Sequence, residues 1–96
     1  MKRVYIAGKV SGEEYEKCVA KFTDAADRLK SSGMIPVNPM NFVPKDMDWK
    51  GAMKLCIRSL VTCDYMLLLD DWKESKGAKL ERSLAVVLGI PIINIH

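Results

Sequence analysis

Four short apolar segments alternate with three longer segments in which apolar residues recur every three or four positions. The short segments are RVYIA, MIPV, YMLLL and IPIINI, which begin at Arg3, Met34, Tyr65 and Ile90. YMLLL is apolar throughout, as strands covered on both faces are. The pattern predicts four strands, separated by elements of helical periodicity.

The three longer segments predict helices. The first follows a loop from Gly8 to Gly12 and ends near Gly33. Asp48 is expected to cap the second, and the third is predicted from about Ser75 to Leu88. The positions expected to be buried are Tyr15, Cys18, Phe22, Ala25, Ala26 and Leu29 in the first helix, Met53, Cys56, Ile57 and Leu60 in the second, and Leu80, Leu84 and Val87 in the third.

Strands that alternate with helices predict a parallel sheet with right-handed crossovers. We expect an α/β fold: a small doubly wound (Rossmann- or flavodoxin-like) parallel sheet of about four strands in the order 2-1-3-4, with three main helices. A chain of 96 residues has room for one compact domain, assigned to residues 1–96. Ligands of such sheets bind where the strand order reverses. Here that point lies beside GKVSG and DDWKESKG, the loops that leave the first and third strands.

Composition narrows the class of protein. Apolar residues make up 49% and charged residues 28%, as in soluble globular domains. The longest mostly apolar run, LAVVLGIPII, is too short to span a membrane, and the N-terminal apolar run is too short for a signal peptide. We therefore expect a cytoplasmic protein with no membrane partner. The net charge of +3, without interleaved aromatic and basic residues, predicts no nucleic acid polymer as a partner.

Cysteine and histidine usage excludes several kinds of site. Cys18, Cys56 and Cys63 form no C-x-x-C pair, so neither a disulfide framework nor a metal site is predicted. The single histidine is the last residue, His96, which excludes a mechanism built on a central imidazole. AGKVSG matches neither the P-loop nor the dinucleotide-binding fingerprint, and no cofactor is predicted.

The two loops at the reversal point carry candidate ligand contacts. Gly8, Ser11 and Gly12 lie in a turn that leads into a helix N-terminus, where backbone N–H groups favour an anion. The alternative is a tight turn with Ser11 as the helix cap. Ser75 is either the cap of the third helix or, with Gly77, a contact for a phosphate, and the two roles are compatible.

Glu81 is the carboxylate whose position requires an explanation. On a helix it shares a stripe with Gly77, Ala78, Ala85 and Leu88, which are all small or apolar. We expect it at the edge of the buried face, where a carboxylate acts as a base or a nucleophile. The alternative is an exposed ion pair.

Several short motifs occur in a recognisable order. They are Y-I-A-G at Tyr5–Gly8, C-D at Cys63 and Asp64, and S-x-G-x-x-x-E at Ser75–Glu81, followed by A-x-x-x-G-I-P. Together they cover nearly the whole chain and resemble the nucleoside 2-deoxyribosyltransferase-like superfamily. The spacing is closest to the small, largely uncharacterised bacterial and phage branch of that superfamily.

The resemblance implies cleavage of the N-glycosidic bond of a nucleoside or nucleotide, by hydrolysis or by pentosyl transfer. Glu81 matches the glutamate that attacks the anomeric carbon, and Tyr5 matches the tyrosine that orients it. Water or a second base then resolves the glycosyl–enzyme intermediate. Members whose pockets are completed by a neighbouring chain, together with the small core, lead us to expect a homodimer or larger homo-oligomer.

The resemblance also implies a phosphorylated ligand. Ser75 falls where transferases carry an aspartate and where 2′-deoxynucleoside 5′-monophosphate hydrolases carry a serine. A carboxylate would repel a phosphate, whereas a hydroxyl would not. Lys9, Lys73 and Lys76 lie nearby in the sequence. The residues expected on the phosphate side of the ligand are Gly8, Lys9, Ser11, Gly12, Ser75 and Gly77.

One position departs from the family pattern. The aspartate that assists departure of the base is expected eight residues before Asp64, where this chain has Cys56. Asp48, Asp70 or Asp71 would have to replace it. The alternative functions are a non-catalytic nucleotide-binding domain that senses or sequesters its ligand, and a structural domain.

Overall fold

The computed structural model describes residues 1–94 and contains the predicted strands and helices in the predicted order. The strands are β1 (Arg3–Ala7), β2 (Ile35–Val37), β3 (Tyr65–Leu68) and β4 (Ile92–Ile93), and the helices are α1 (Tyr15–Ser31), α2 (Trp49–Leu60) and α3 (Lys76–Val87). Short 3-10 turns span Pro39–Asn41 and Trp72–Glu74. The last strand was predicted to include Ile95, which lies outside the described residues.

The strands form one sheet in the order β2-β1-β3-β4. All three strand pairs are parallel, and Tyr5 is in register with Val37 on one side and Met66 on the other. The predicted α/β class and strand order are therefore confirmed. β1 is hydrogen-bonded on both edges, and its residues Val4 to Ala7 are buried.

Alternating side chains of β1 belong to two hydrophobic clusters on opposite faces of the sheet. Val4 and Ile6 pack with residues of α1, and Tyr5 and Ala7 pack with residues of α2 and α3. The α1 cluster also contains Phe22, Ala25, Ala26, Leu29 and Leu67, and the α2–α3 cluster also contains Cys56, Leu60, Cys63, Met66, Ala78 and Ala85. Tyr5 consequently points from the centre of the sheet toward α2 and α3.

The helix caps are local and mostly as predicted. The Asp48 carboxylate accepts a hydrogen bond from the Gly51 amide at 3.0 Å, and the Ser75 hydroxyl accepts one from the Ala78 amide at 3.1 Å. Each cap satisfies an amide that has no partner within the helix. Gly33, with φ at +79°, follows the end of α1 in the left-handed conformation that ends many helices.

The buried face of α3 differs from the prediction. Leu80 and Val87 were expected in the core, but they are 41% and 80% exposed. The buried residues of α3 are instead Gly77, Ala78, Glu81 and Ala85. The physical reason is close packing of α3 on its neighbours, which only small residues permit, and which turns the larger leucine and valine side chains outward.

Gly77 shows how close this packing is. A Cβ atom at Gly77 would lie 2.9 Å from the sulfur of Met53 in α2, so a side chain there would require the Met53 side chain to move. Gly77 was predicted to lie on the phosphate side of the ligand. Its contact with α2 is a second reason for a small residue at this position.

The Cys-Asp motif before β3 has a structural role. The Asp64 carboxylate accepts a hydrogen bond from the Arg3 amide at 2.8 Å, and the Asp64 amide donates one to the Arg3 carbonyl at 2.9 Å. These bonds align the starts of the two central strands. All three cysteines are free and buried. None of the helices described has the length and apolar character that crossing a bilayer requires.

Candidate active site

A cavity of about 380 Å³ opens beside the last residues of β1. It is bordered by the first residue of α1, Tyr15, the first residue of α2, Trp49, and the first turn of α3. Its volume lies within the range of about 300–1,000 Å³ that is usual for small-molecule sites. The site therefore lies near the predicted reversal point of the strand order, where three helix N-termini converge.

Much of the wall comes from the connection between β2 and α2, which the sequence analysis treated only as a loop. The lining residues in this segment are Pro39, Met40, Val43, Pro44, Lys45 and Met47. The one indication in the sequence was that this connection contains apolar residues without helical or strand periodicity. Such residues can line a cavity instead of packing within a helix or strand.

Glu81 lies in the lining of the cavity and is 5% exposed. The hydroxyl of Tyr5 donates a hydrogen bond to its Oε2 atom, and Tyr5 itself is fully buried. The carboxylate is thus deeper than the edge position predicted from the sequence, and it is not in the exposed ion pair that was the alternative. The two residues predicted to be catalytic are in direct contact.

Burial controls the protonation of both groups. It raises the pKa of Glu81 from 4.5 to about 7, against the opposing effect of the hydrogen bond from Tyr5. Burial, reinforced by the negative charge of Glu81, also raises the pKa of Tyr5 well above its ordinary value. Tyr5 therefore remains a neutral hydrogen-bond donor, and Glu81 exchanges its proton near neutral pH.

Cys56 lines the same cavity and packs in the cluster that contains Tyr5. Burial, together with the nearby charge of Glu81, raises the pKa of this thiol to about 11 despite an opposing contribution from Tyr5. Cys56 is therefore a neutral thiol at physiological pH. It is a poor proton donor and a weak nucleophile in this state.

None of the three aspartates considered as substitutes for Cys56 lines the cavity. Asp48 caps α2, and Asp71 binds the side chain of Lys21 and the amide of Lys9. Asp70, which follows β3, is exposed. Within residues 1–94, the carboxylates that do line it are those of Glu81 and Glu13.

The β1–α1 loop contributes part of the predicted anion site. Gly8 and Ser11 line the cavity, whereas Lys9 and Gly12 do not. Gly8 is required by close approach, because a Cβ atom there would lie 2.7 Å from Cδ1 of Leu69. Ser11 is not the cap of α1, since Glu14 occupies that position.

Ser75 and Gly77, at the start of α3, both line the cavity. The Ser75 oxygen accepts the capping bond from the Ala78 amide. A hydroxyl has one hydrogen to donate and two lone pairs, so this bond leaves the hydrogen available to a ligand. The two predicted roles of Ser75 are therefore compatible in the folded chain.

Two lysines stand over aromatic rings of the cavity wall. The Lys45 amine lies 4.7 Å from the centre of the Tyr15 ring, and the Lys76 amine lies 4.6 Å from the centre of a Trp49 ring. Of all basic residues in the described part of the chain, Lys45 alone lines the cavity. Lys9, Lys73 and Lys76 were the lysines predicted near the ligand. Lys45 was not predicted, because it lies on a loop that only tertiary packing brings to the site.

Sequence comparison places the chain in a family. Residues 2–94 match the family described as a domain of unknown function, DUF4406. The chain belongs to this family. Among curated proteins, no match was found.

Solved structures show the fold of this DUF4406 chain in other proteins. A 2-deoxyribosyltransferase from Leishmania mexicana superposes with a TM-score of 0.73 at 18% identity, over 99% of this chain and 64% of its own. One from Bacillus psychrosaccharolyticus gives a TM-score of 0.70 at 18% identity, over 96% of this chain and 70% of its own. The fold is therefore nucleoside 2-deoxyribosyltransferase-like, and the chain spans less than two thirds of the Leishmania protein.

Replacing Glu81 with glutamine should remove a pH-dependent cost to folding. A carboxyl whose pKa is raised in the folded chain is favourable below its unfolded pKa of 4.5, and this advantage is lost as the pH rises through about 7. The unfolding free energy of the variant minus that of wild type should therefore be about 2–3 kcal/mol larger at about pH 8.5 than at about pH 5. Urea unfolding at both pH values measures this gain.

Glu74→Gln is the matched control, because Glu74 is exposed. Its difference from wild type should be the same at both pH values. A Glu81→Gln variant whose difference from wild type also stays constant would contradict a raised pKa at Glu81.

Proposed function

We propose that the chain cleaves the N-glycosidic bond of a (deoxy)nucleoside 5′-monophosphate or a related small nucleotide, with Glu81 as the nucleophile. The observation that carries this proposal is a nearly buried carboxylate, hydrogen-bonded by Tyr5, in the lining of a ligand-sized cavity. Two proteins with the same fold are named 2-deoxyribosyltransferases, which supports nucleoside chemistry for this chain.

In the proposed mechanism, ionised Glu81 attacks the anomeric carbon of the sugar and forms a glycosyl ester. The bond to the base breaks at the same time, and the base leaves with the electron pair and takes up a proton. Water or a second base then attacks the same carbon and releases the carboxylate. A pKa of about 7 keeps a large fraction of Glu81 ionised at neutral pH. Tyr5, as a neutral donor, holds the carboxylate in one orientation.

The groups around the cavity support binding of a 5′-phosphate. Ser75 and Ser11 contribute hydroxyls, Gly8 lets the backbone approach closely, and Lys45 contributes a positive charge. The N-terminus of α3, where Ser75 is the cap, adds the positive end of a helix dipole. These are the groups that bind phosphate oxygens in proteins.

The remaining walls suit the face of a nucleobase. Tyr15 and Trp49 contribute aromatic rings, and Met40, Met47 and Met53 contribute polarisable thioethers. A flat heteroaromatic ring packs well against both kinds of side chain. We propose that the base lies against this wall, so that the sugar is held between the wall and Glu81.

Glu81→Gln should reduce release of free base by about 10³-fold or more, because an amide cannot attack the anomeric carbon as a carboxylate does. Binding of the monophosphate should stay within a few fold, since glutamine still accepts the hydrogen bond from Tyr5. Chromatography of reactions with a panel of deoxynucleoside monophosphates measures base release, and calorimetry measures binding. Glu74→Gln should behave as wild type, and retained turnover in Glu81→Gln would exclude Glu81 as the nucleophile.

Cys56 favours a second candidate function, a nucleotide-binding domain that senses or sequesters its ligand. In the nucleoside 2-deoxyribosyltransferase-like superfamily, which the chain resembles, this position carries the aspartate that helps the base to leave. A neutral thiol with a pKa of about 11 does not supply that proton readily. Loss of acid assistance costs about 10²–10⁴ in rate. A chain that binds monophosphates but releases no base would have this second function.

Cys56→Asp should raise base release by about tenfold or more, because two buried carboxyl groups in one cavity cannot both ionise easily. One of the pair then keeps its proton at neutral pH and can donate it to the leaving base. Cys56→Asn has a similar shape without an acid, and it should show no gain. If Cys56→Asp folds normally and gains nothing, another group already serves as the acid.

We also propose that the chain forms a homodimer or larger homo-oligomer. Val86, Val87 and Leu88 are 58%, 80% and 53% exposed at the end of α3, and Val61 at the end of α2 is 51% exposed. Exposed apolar groups of this extent are unusual in a small monomer.

Sizing chromatography with light scattering at micromolar concentration should give at least twice the mass of one chain. A monomer would contradict the proposal, and a lower association constant for Val87→Ser would support this surface.

A further inference from the structure

The side chain of Lys21, on α1, joins three groups behind the β1–α1 loop. Its amine donates to the Lys9 carbonyl at 2.8 Å, lies 2.5 Å from Oδ2 of Asp71, and lies 3.4 Å from Oε1 of Glu13. Lys21 and Asp71 do not line the candidate active site. They line a separate cavity of about 340 Å³ between α1 and β3. Lys21 therefore acts on the site only through its neighbours.

These contacts hold the loop in place. The other carboxylate oxygen of Asp71 accepts a hydrogen bond from the Lys9 amide at 3.0 Å. Both backbone groups of Lys9 are thus bound by one ion pair, and Lys9 lies between Gly8 and Val10, which line the site together with Ser11. A preorganised loop loses less conformational entropy when a ligand binds.

The ion pair is also partly shielded from water. The side chains of Lys21 and Asp71 are 27% and 20% exposed. Burial opposes the charge on each group, but their mutual hydrogen bond and attraction prevail, so the pKa of Lys21 is raised and that of Asp71 is lowered. Shielded charges are screened less by salt than exposed ones, and their removal is felt by nearby groups.

The electrostatic consequence concerns an anionic ligand. Glu13 lines the site, and Asp71 is bonded to the loop that would contact the anion. Lys21 is the shared cationic partner of both carboxylates in this cluster. Without Lys21, two uncompensated negative charges would stand close to the place proposed for the phosphate.

We propose that Lys21 determines the preference of this site for a phosphorylated ligand over the unphosphorylated nucleoside. It does so as a positioning residue, by holding the loop against Asp71 and by neutralising Glu13 and Asp71. This inference rests on the proposed function for the identity of the ligand. It assigns a role that a substitution can test separately from catalysis, because Lys21 does not line the candidate active site.

The test is calorimetric titration with 2′-deoxyadenosine and with 2′-deoxyadenosine 5′-monophosphate, in a Glu81→Gln background that leaves both ligands intact. Lys21→Met should weaken binding of the monophosphate by about tenfold and of the nucleoside by less than about threefold. The additional loss for the monophosphate should shrink in part as salt rises above roughly 0.1 M, where charges are screened within about 10 Å. A role in loop stability alone would also weaken the monophosphate more than the nucleoside, because Gly8 and Ser11 are proposed phosphate contacts, but that loss would not depend on salt.

Further variants isolate the charge effect. Lys21→Arg should restore the monophosphate affinity to within a few fold, and adding Glu13→Gln to Lys21→Met should recover part of the loss. Lys17→Met is the matched control, because Lys17 lies one turn earlier on α1, is 80% exposed and pairs with the exposed Glu14 at 3.8 Å. The ratio of the two affinities should not change in this control.

Equal weakening of both ligands by Lys21→Met, or an equal change of their ratio in Lys17→Met, would overturn the inference. If Lys21→Met does not fold, the single variant Glu13→Gln is the test. It should strengthen binding of the monophosphate a few fold without affecting binding of the nucleoside. An unchanged affinity for the monophosphate would count against the inference. If the Glu81→Gln protein with Lys21 intact binds neither ligand, the proposed function is contradicted. If it binds both ligands with equal affinity, the role of Lys21 is contradicted and nucleoside binding still stands.

Discussion

The hydrogen bond from Tyr5 to Glu81 joins the centre of the sheet to α3, and the candidate site depends on it. Tyr5 can reach α3 because alternating residues of β1 face opposite sides. Glu81 can reach Tyr5 because Gly77, Ala78 and Ala85 let α3 pack closely. Burial of the carboxylate raises its pKa to about 7, although the hydrogen bond from Tyr5 acts in the opposite direction. Stability is therefore reduced at this position in exchange for a carboxylate that changes charge near neutral pH.

The charges around the cavity are arranged in two shells with different roles. Lys45 lines the cavity and is available to a ligand, whereas Lys21 lies behind the loop and binds carboxylates of the protein. In our proposal, the first attracts the anion directly, and the second limits the repulsion that Glu13 and Asp71 would otherwise exert. A site that discriminates through both shells can favour a phosphate without presenting several exposed lysines to it.

Cys56 decides between the two functions considered for this member of the DUF4406 family. The fold matches 2-deoxyribosyltransferases, and fold alone leaves both chemistry and binding open. A nucleophile without a proton donor forms its intermediate slowly, because the negative charge that develops on the leaving base is not neutralised. The chemistry of this one position therefore bears on turnover more than the overall similarity of the folds does.

Local patterns in the sequence determined the strands, the helices and the caps at Asp48 and Ser75, because periodicity and turn chemistry act over a few residues. The strand order was predicted from the alternation of strands and helices together with the rule of right-handed crossovers. The resemblance to the nucleoside 2-deoxyribosyltransferase-like superfamily, not these patterns, implied that Tyr5 and Glu81 would share a site. Only the tertiary structure decided the rotation of α3, which left Leu80 and Val87 outside, the approach of Lys45 to the cavity, and the pairing of Lys21 with Asp71. Those features depend on contacts between residues far apart in the chain, which no local pattern encodes.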